Sequence, residues 1–359
     1  MSRADRDHVG ASHFTVFGRA ETTAMFREAA EAADVVRLQR ERIQPAIGEL
    51  VERLRASRPR AVLTLARGSS DHAATFARYL IETRAGVLTS SASPSVGSIY
   101  EATPDLKDTA VLAISQSGRS PDLLSAARQA SDRVALLVGM VNDESSPLAN
   151  MADILIPLGA GRETSVAATK SFIASLAASL HLLAAWTGEP DLSQALSALP
   201  DKLAEAWTLD WSRAVPLLAD AQAMYVVGRG HGLGIAQEAA LKLKETFGVS
   251  AEAFSAAEVR HGPMAVVRNG FPVLLFGQND ESLEGIESLA AEFAAREARV
   301  ISAGLPRAAG MNLSTIDADP VIAPILHVAS FYRLVNSLAL ARGFDPDRPF
   351  HLTKVTETR

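Results

Sequence analysis

The sequence predicts an α/β protein with two tandem, doubly wound units, each built on a parallel sheet, and with helices before the first unit. Short apolar runs alternate with helical patterns along the chain, and this alternation is typical of βαβ units. The alternation also repeats. An Arg-Gly pair follows the first strand of each half, at Arg67 and Arg229, and Gln116 and Gln278 each follow a later strand. Both pairs are 162 residues apart, which indicates an internal duplication.

The N-terminal part of the chain is predicted to be helical. Apolar residues recur with a period of about 3.6 over residues 22–55, which is the spacing of one helix face. Pro45 should divide this stretch into two helices, because proline lacks the amide hydrogen that a helix interior needs. The first unit follows, with predicted strands at 61–66, 86–89, 109–114, 134–138 and 154–157 and predicted helices at 71–83, 121–130 and 165–186.

Residues 190–210, which contain Pro190 and Pro200, are predicted to connect the two units. The second unit has predicted strands at 223–227, 272–276 and 299–303 and predicted helices at 233–247, 283–296 and 331–342. We therefore expect four segments: an N-terminal extension and helix (1–45), the first unit (46–195), the second unit (205–347) and a C-terminal tail (348–359). In sheets of this kind, ligands bind beyond the carboxyl ends of the strands, where loops meet helix N-termini.

The composition narrows the class of protein. Hydrophobic residues make up 48% and charged residues 21% of the chain, as in ordinary globular proteins. Cysteine is absent, which excludes disulfides, thiolate metal sites and a cysteine nucleophile within these residues. The net charge of −6 argues against a nucleic-acid-binding surface. The N-terminus has no apolar signal segment and no apolar run approaches the ~20 residues that cross a bilayer, so we expect a cytoplasmic protein without membrane contact.

Two hydroxyl-rich turns of the first unit are candidates for binding a phosphate monoester. One follows the first strand and contains Gly68, Ser69 and Ser70, and the other follows the third strand and contains Ser115, Gln116, Ser117 and Ser120. Such turns present O–H and N–H donors at the N-terminus of a helix, where an anion is stabilised. Serine is also a favoured helix cap, so each turn taken alone could be purely structural. Neither turn is a nucleotide-binding P-loop or a dinucleotide-binding fingerprint.

Three further segments carry groups suited to acid–base chemistry. Glu238, Lys242 and Glu245 share one stripe of a predicted helix, which is either a surface ladder of ion pairs or, beside the crevice, a proton shuttle. His261 precedes Gly-Pro in a rigid turn, where it could transfer protons near neutral pH or be a structural loop residue. Lys354 in the polar tail could reach a carbonyl or simply fray. The histidines show no metal-ligand spacing, so we expect no metal.

Five segments, in order, resemble the sugar isomerase (SIS) domain family, and within it the isomerase half of the glutamine–fructose-6-phosphate aminotransferases and their stand-alone relatives. The segments are RGSS, SQSGRSPD, ETSVAATKSF, EAALKLKE with EVRHGP, and HLTKVTE, and the resemblance runs from about residue 45 to the C-terminus. It implies two SIS domains with a phosphosugar site in the first. There Ser69, Ser115, Gln116, Ser117 and Ser120 would hold the phosphate and neighbouring hydroxyls, and Val166 and Thr169 would border the sugar.

The resemblance also implies the catalytic roles. Glu245 would move a proton between C2 and C1 of the sugar, with Lys242 as its partner in the site. His261 would open the pyranose ring, and it would come from the partner subunit of a homodimer. Lys354, in a tail that lies over the active site, would meet the open-chain carbonyl.

The sequence departs from the aminotransferases at two points. These residues include no glutaminase segment with its N-terminal cysteine, and Arg119, Ser120 and Ala168 stand where those enzymes have an acidic residue, threonine and serine. The second group of differences looks more like the stand-alone deaminases and ketose isomerases of the family. We therefore expect a glutamine-independent glucosamine-6-phosphate deaminase that yields fructose 6-phosphate and ammonia without a metal or redox cofactor.

Neighbouring activities stay open, because serine-rich turns specify neither the stereochemistry of the sugar nor the leaving group. They are deglycation of a 6-phosphorylated fructosamine, a tagatose-forming deamination and plain aldose–ketose isomerisation. A different class is a phosphosugar-sensing module without turnover. Such a sensor would need only the phosphate turns, whereas Glu245, His261 and Lys354 are all present in this sequence.

Overall fold

Two five-stranded parallel sheets form the framework of the protein. The computed structural model describes residues 20–102, 104–131, 133–134, 136–349 and 351–352. The first sheet consists of β1 (Ala61–Leu65), β2 (Leu88–Ser91), β3 (Thr109–Ser115), β4 (Leu136–Val141) and β5 (Ile154–Pro157). The second sheet consists of β6 (Ala223–Gly228), β7 (Ser250–Ser255), β8 (Pro272–Phe276), β9 (Arg299–Ala303) and β10 (Met311–Leu313). Neighbouring strands follow the order β2-β1-β3-β4-β5 in the first and β7-β6-β8-β9-β10 in the second, so both halves have the same topology.

Helices precede the sheets and connect their strands. The first half has α1 (Ala24–Ala30), α2 (Ala32–Ser57), α3 (Ser69–Leu80), α4 (Pro94–Ser98), α5 (Pro121–Ser131), α6 (Pro147–Met151) and α7 (Lys170–Thr187). The second half has α8 (Pro190–Trp207), α9 (Val215–Leu218), α10 (Gly232–Phe247), α11 (Leu283–Ala295) and α12 (Ala323–Ala341). The predicted fold class, two tandem doubly wound units after N-terminal helices, is confirmed.

The sequence predicts eight of the ten strands in the described structure. All eight predicted strands are present, and β5, β8 and β9 have the predicted bounds. The strands β7 and β10 were not predicted. β7 is the six-residue segment SAEAFS, whose small and polar side chains give little of the apolar signal of a strand, and β10 has three residues. Both lie at an edge of the second sheet, where an apolar sequence is least required.

Two segments that contain proline are continuous helices, although the sequence predicts a break in one and a connector in the other. Pro45 does not separate two helices, because α2 runs through it and the break lies near Glu31 instead. Pro45 and the neighbouring Glu41 face solvent, so the carbonyl that loses its helical partner can be hydrated. The predicted connector is the helix α8, in which Pro190 occupies the first turn, where proline is well tolerated. Its buried residues Leu192, Ala195, Leu196, Leu199, Leu203 and Ala206 follow the helical period, and this apolar pattern outweighs the effect of Pro200.

Two other helices begin at positions that differ from the predicted ones. Helix α7 begins at Lys170, five residues later than the start predicted at 165. Residues 165–169 form the end of a loop. Helix α12 begins at Ala323, whereas the prediction began at 331. Nearly every residue of α12 is buried, so the segment lacks the polar face that would define its first turns in the sequence.

The two halves meet through α10 of the second half and α3 of the first. Gly234 lies at this contact, and a Cβ placed on it would come within 2.5 Å of the carbonyl oxygen of His72. Because glycine has no Cβ, the two helices can approach closely here. This approach brings the side chains of α10 to the carboxyl edge of the first sheet, where the turns after β1 and β3 lie.

None of the helices in the described part of the chain is long and apolar enough to cross a membrane.

The contact between α2 and α7 gives a test of the core. Ile47 of α2 is fully buried in the hydrophobic core that α2 and α7 share, whereas Leu38 of the same helix is 74% exposed. We expect Ile47→Ala to lower the free energy of unfolding by about 2–5 kcal/mol, because it removes buried methyl groups and leaves a cavity. Leu38→Ala is the matched control, with an expected change of less than about 0.5 kcal/mol. Urea unfolding measures both, and equal effects would contradict this assignment of the core.

Candidate active site

A cavity of about 330 Å³ lies at the carboxyl edge of the first sheet. It brings together residues that are far apart in the sequence: Gly68, Ser69 and Ser70 after β1, Ser115, Gln116, Ser117 and Ser120 after β3, Val166 before α7, and Lys242 and Glu245 of α10. Both sequence-predicted serine turns and two predicted catalytic residues therefore share one space. The second half contributes α10 to a cavity that is otherwise built by the first half.

The turn after β3 is shaped by its own serines. Gly118 has φ of +62°, and a Cβ there would lie 2.2 Å from the hydroxyl of Ser146, so glycine is needed for both conformation and space. The Gly118 amide donates to the Ser115 hydroxyl at 2.9 Å, and the Arg119 amide donates to the Ser117 hydroxyl at 3.3 Å. A hydroxyl that accepts in this way can still donate its own hydrogen to a ligand.

A buried ion pair lies beneath the turn after β1. The Lys242 ammonium is 3.1 Å from Oε1 of Glu238, 2.7 Å from Oε2 of Glu245 and 3.0 Å from Oγ of Ser69. The Ser69 hydroxyl donates in turn to Glu238 at 3.2 Å. Glu238 and Lys242 are fully buried, whereas 20% of the Glu245 side chain is exposed. Glu245 is therefore the member of this cluster that a ligand in the cavity can reach.

Glu238 is the centre of this cluster. His72 Nδ1 lies 3.1 Å from its Oε2, and the Tyr332 hydroxyl donates to its Oε1 at 3.1 Å. Burial alone would raise the pKa of Glu238, but Lys242 and His72 hold it below its ordinary value. Burial works against the charge of Lys242, but Glu238 and Glu245 raise its pKa above the ordinary range. At neutral pH Glu238 is therefore a carboxylate and Lys242 an ammonium ion, and these two charges neutralise each other.

Sequence reasoning placed Glu238 on the stripe with Lys242 and Glu245 but did not assign it to the site. The signal was the spacing of four residues from Lys242 on a helix whose other residues near them are alanine and leucine. Such surroundings indicate that the pair is buried rather than exposed. Tyr332 lies 94 residues from Glu238, and no local pattern connects them.

The loop before α7 is held by two buried carboxylates. Glu163 accepts from the amides of Thr169 at 2.9 Å and Ser171 at 3.2 Å. Glu28 of α1 accepts from the hydroxyl of Thr164 at 2.7 Å. These contacts present Val166 to the cavity, whereas Thr169 is fully buried and is not among the described residues that line it. Neither carboxylate was predicted for the site.

His261 and Lys354 are not brought into the cavity by this chain. His261 is exposed, in the turn between the short 3₁₀ helices Glu258–Arg260 and Pro263–Val266, and it is not among the described residues that line the cavity. Lys354 lies outside the residues that the structure describes. Within those residues, no group of three or more potential ligand side chains could hold a metal ion.

In the second half, the turn after β8 corresponds to the serine turn after β3. The carboxylate of Asp280 accepts hydrogen bonds from the donors of this turn. Oδ1 of Asp280 accepts from the Ser282 amide at 2.9 Å and the Ser282 hydroxyl at 2.5 Å, and Oδ2 accepts from Gln278 at 2.9 Å. The equivalent segment of the first half, SQSGRS, has no acidic residue. An anion is therefore favoured at the first turn and opposed at the second.

The buried pair gives a test by pH. Glu238→Gln should lower the free energy of unfolding at pH 7 by about 3 kcal/mol, since it leaves Lys242 buried with weaker partners. Because folding lowers the pKa of Glu238, its contribution is complete above the ordinary value of 4.5 and is lost as the pH falls through the folded-state pKa. The difference between variant and wild type should therefore narrow in acid. Urea unfolding from pH 3 to 7 measures this.

The matched control is Glu292→Gln, which breaks the partly exposed ion pair with Arg260. This pair is screened by solvent, so we expect a loss of less than about 1 kcal/mol. A difference between wild type and Glu238→Gln that does not change with pH would contradict the charge state assigned to Glu238.

This chain is similar to known proteins both in sequence and in fold. Among curated proteins, the glutamine–fructose-6-phosphate aminotransferase [isomerizing] of Aeropyrum pernix is 33% identical over 314 residues, which cover 82% of this chain and 50% of that protein. The enzyme of the same name from Pseudomonas putida is 34% identical over 317 residues, covering 82% and 51%. The chain thus spans about half the length of the curated relatives it matches.

Solved structures show the same fold. A candidate phosphosugar isomerase from Silicibacter pomeroyi superposes with a TM-score of 0.86 at 38% identity, covering 90% of this chain and all of that one. The C-terminal domain of the aminotransferase from Francisella tularensis gives a TM-score of 0.80 at 25% identity, covering 91% and 98%. The glucosamine-6-phosphate deaminase of Thermotoga maritima shares the fold, with a TM-score of 0.69 at 23% identity over 91% and 100% of the chains.

The family assignment rests on both halves of the chain. A model of the SIS domain matches residues 57–185 and again residues 217–340. These two ranges contain the two sheets with the same strand order. Two family matches, one in each half, and curated relatives related through their SIS-containing half show that this chain belongs to the SIS domain family.

Proposed function

We propose that the protein is a glutamine-independent glucosamine-6-phosphate deaminase of the isomerising type, which converts glucosamine 6-phosphate and water into fructose 6-phosphate and ammonia. The observation that carries the proposal is the position of Glu245, whose carboxylate is held by Lys242 at 2.7 Å in the same cavity as the two serine turns. Such a cavity has an anion-binding end and a proton-transferring end, which is what an aldose–ketose conversion of a sugar phosphate requires.

The phosphate is assigned to the serine turns. Ser69, Ser70, Ser117 and Ser120 border the cavity at the starts of α3 and α5, and the hydroxyl of Ser69 is already bonded to Glu238 and Lys242. Hydroxyls and backbone amides at helix N-termini stabilise a phosphate monoester without a nucleotide-binding motif. The second half has Asp280 at the corresponding turn, so we assign one phosphosugar to each chain.

Glu245 is the proposed proton carrier. Its Oε2 is bonded to Lys242, which leaves Oε1 as the oxygen that removes the proton from C2 of the open-chain sugar. Return of this proton to C1, together with transfer of one N–H proton of the C2 amine to O1, converts the C1 aldehyde into a CH2OH group and the C2 amine into an imine. Water then adds to the imine carbon and ammonia leaves, so that C2 becomes the ketone of fructose 6-phosphate. The C2 proton is acidified by the adjacent carbonyl, so a carboxylate is a sufficient base.

Ring opening is assigned to His261 of a second copy of the chain. Its exposed position, away from the cavity of its own chain, suits a residue that completes a site across a subunit interface. Histidine is able to exchange a proton with the ring oxygen near neutral pH. Lys354 of the tail is the residue that we assign to the open-chain carbonyl.

Two observations bear on the alternatives, one on the aminotransferases and one on a sensor without turnover. Ala168 lines the cavity at a position where the aminotransferases have serine, so the change lies where the sugar would bind. The fully buried pair of Glu238 and Lys242 supports Glu245, and a module that only sensed a phosphosugar would not need it. A buried ion pair is expensive to maintain, which favours a catalytic use for it.

The proposal is tested by measuring ammonia and fructose 6-phosphate released from glucosamine 6-phosphate without glutamine. We expect equal amounts of the two products. Isomerised amino sugar without ammonia would indicate a plain isomerase, and binding without any conversion would indicate a sensor. Both of these results would contradict the proposal.

Glu245→Gln tests the proton carrier. We expect kcat to fall by about 10²–10⁴-fold with KM changed by less than about threefold, because the variant keeps the shape of the site but cannot accept a proton. Glu284→Gln, at an exposed glutamate of α11, is the control and should retain the wild-type rate. Steady-state kinetics compares the three proteins, and a rate near that of wild type in Glu245→Gln would contradict its role.

Mixing two inactive variants tests whether His261 acts across an interface. In a mixed dimer of Glu245→Gln and His261→Ala, one of the two sites has both residues intact. Random exchange should therefore restore about one quarter of the wild-type activity, since half of the dimers are mixed and each has one active site. The measurement is ammonia release after denaturation and refolding together. No gain over the separate variants would place His261 outside a shared site.

A further inference from the structure

We propose that Arg67 binds the phosphate of the substrate and that the buried carboxylate of Asp122 positions its guanidinium for this contact. The chemical identity of the substrate rests on the function proposed above, whereas the binding of a phosphate group by Arg67 can be tested without turnover. Arg67 lies two residues after the end of β1 and lines the cavity beside Gly68 and Ser69.

The geometry fixes one edge of the guanidinium. Nε of Arg67 donates to Oδ2 of Asp122 at 2.8 Å, and Nη2 lies 2.7 Å from the same oxygen. The side chain of Asp122 is 3% exposed, whereas that of Arg67 is 51% exposed. The carboxylate is thus built into the protein at the start of α5, whereas the Arg67 side chain stays half exposed and lines the cavity. A side chain held in this way loses little further freedom when it binds an anion.

Hydrogen-bond capacity distinguishes Arg67 from the other cation of the cavity. Among the described residues that line it, the cationic side chains are Arg67 and Lys242. An ammonium group has three donors, and those of Lys242 meet three acceptors, on Ser69, Glu238 and Glu245. A guanidinium has five N–H donors, and Asp122 accepts from two of its nitrogens. Arg67 therefore has donors for a phosphate, whereas Lys242 would first have to leave its partners.

The position of the pair suits a dianion shared by both serine turns. Arg67 begins the turn after β1, and Asp122 follows the turn after β3, so their contact joins the two turns. The Leu123 amide donates to Oδ1 of Asp122 at 2.8 Å, which fixes the carboxylate in the first turn of α5. A phosphate bound between the turns would meet hydroxyls from both and the charged fork of Arg67, which is the arrangement that phosphate recognition favours.

The internal duplication supplies a matched control. Arg229 follows β6 as Arg67 follows β1, and it is likewise exposed in part, but it does not line this cavity in the described structure. Glu284 stands where the first half has Asp122, and no ion pair joins it to Arg229 among the described residues. Replacing Arg229 therefore removes the same charge at the equivalent position of the repeat without touching the phosphate site.

The experiment is isothermal titration calorimetry with fructose 6-phosphate and with inorganic phosphate. We expect Arg67→Gln to raise the Kd for both ligands by about 10- to 100-fold, which is the usual effect of losing a charge-assisted hydrogen bond. Arg67→Lys should recover part of the loss, because it keeps the charge but not the fork. Arg229→Gln should stay within about twofold of wild type. Equal binding by wild type and Arg67→Gln would overturn the proposal.

Two further measurements separate binding from folding and from the proposed reaction. The double variant Arg67→Gln/Asp122→Asn removes both charges, so no carboxylate is left buried alone, and it should show the same loss of affinity with a thermal unfolding midpoint near that of wild type. In turnover of glucosamine 6-phosphate, Arg67→Gln should raise KM by about 10-fold or more and change kcat by less than about threefold, since phosphate binding is common to the ground and transition states.

The outcomes for the two proposals are distinct. If wild type binds fructose 6-phosphate but releases no ammonia from the amino sugar, the proposed deaminase activity is contradicted. The role of Arg67 is then decided by the Kd values of wild type and Arg67→Gln. Wild type that binds neither fructose 6-phosphate nor inorganic phosphate would overturn both. Loss of kcat with unchanged affinity in Arg67→Gln would also overturn the proposal, because it would place Arg67 at the reacting carbons.

Discussion

The structure depends on one buried ion pair. Glu238 and Lys242 have no exposed surface, and a buried charge without its partner would cost several kcal/mol. Their remaining donors and acceptors are therefore met by groups from three other places: Ser69 and His72 in the first half, Tyr332 of α12 and Glu245 further along α10. The hydrogen bonds from Ser69 and His72 to Glu238 also hold the second half against the first. The position of Glu245 in the cavity is thus a consequence of the same contacts that hold the halves together.

Duplication produced two equal frameworks with unequal edges. The sheets share one strand order, yet the serines of the turn after β3 line the cavity, while the turn after β8 bonds to its own Asp280. The second half contributes instead through α10, which Gly234 allows to lie against α3. One copy therefore supplies the two serine turns of the cavity, and the other supplies Lys242 and Glu245. This division explains why neither half would form the site alone.

The fold was largely predictable because its signals are local. The strands β5, β8 and β9 are apolar runs with clear ends, and their predicted bounds agree with the structure. The failures had local causes too. Proline does not interrupt α2 or α8, because Pro45 lies on the exposed side of α2 and the apolar face of α8 is buried. The edge strand β7 carries mostly small and polar residues, which do not indicate a strand. It is a strand because its backbone pairs with β6.

The sequence by itself determined the duplicated parallel fold, the two serine turns and the stripe of Glu238, Lys242 and Glu245, because strand periodicity, turn residues and helical spacing are properties of short segments. The tertiary structure decided which member of that stripe is reachable. Burial of Glu238 depends on Tyr332, 94 residues away, and on Ser69, 169 residues away. The loop that presents Val166 likewise depends on Glu28 of α1. Such contacts are made between distant segments, so their energies and the charge states that they set appear only when the chain is folded.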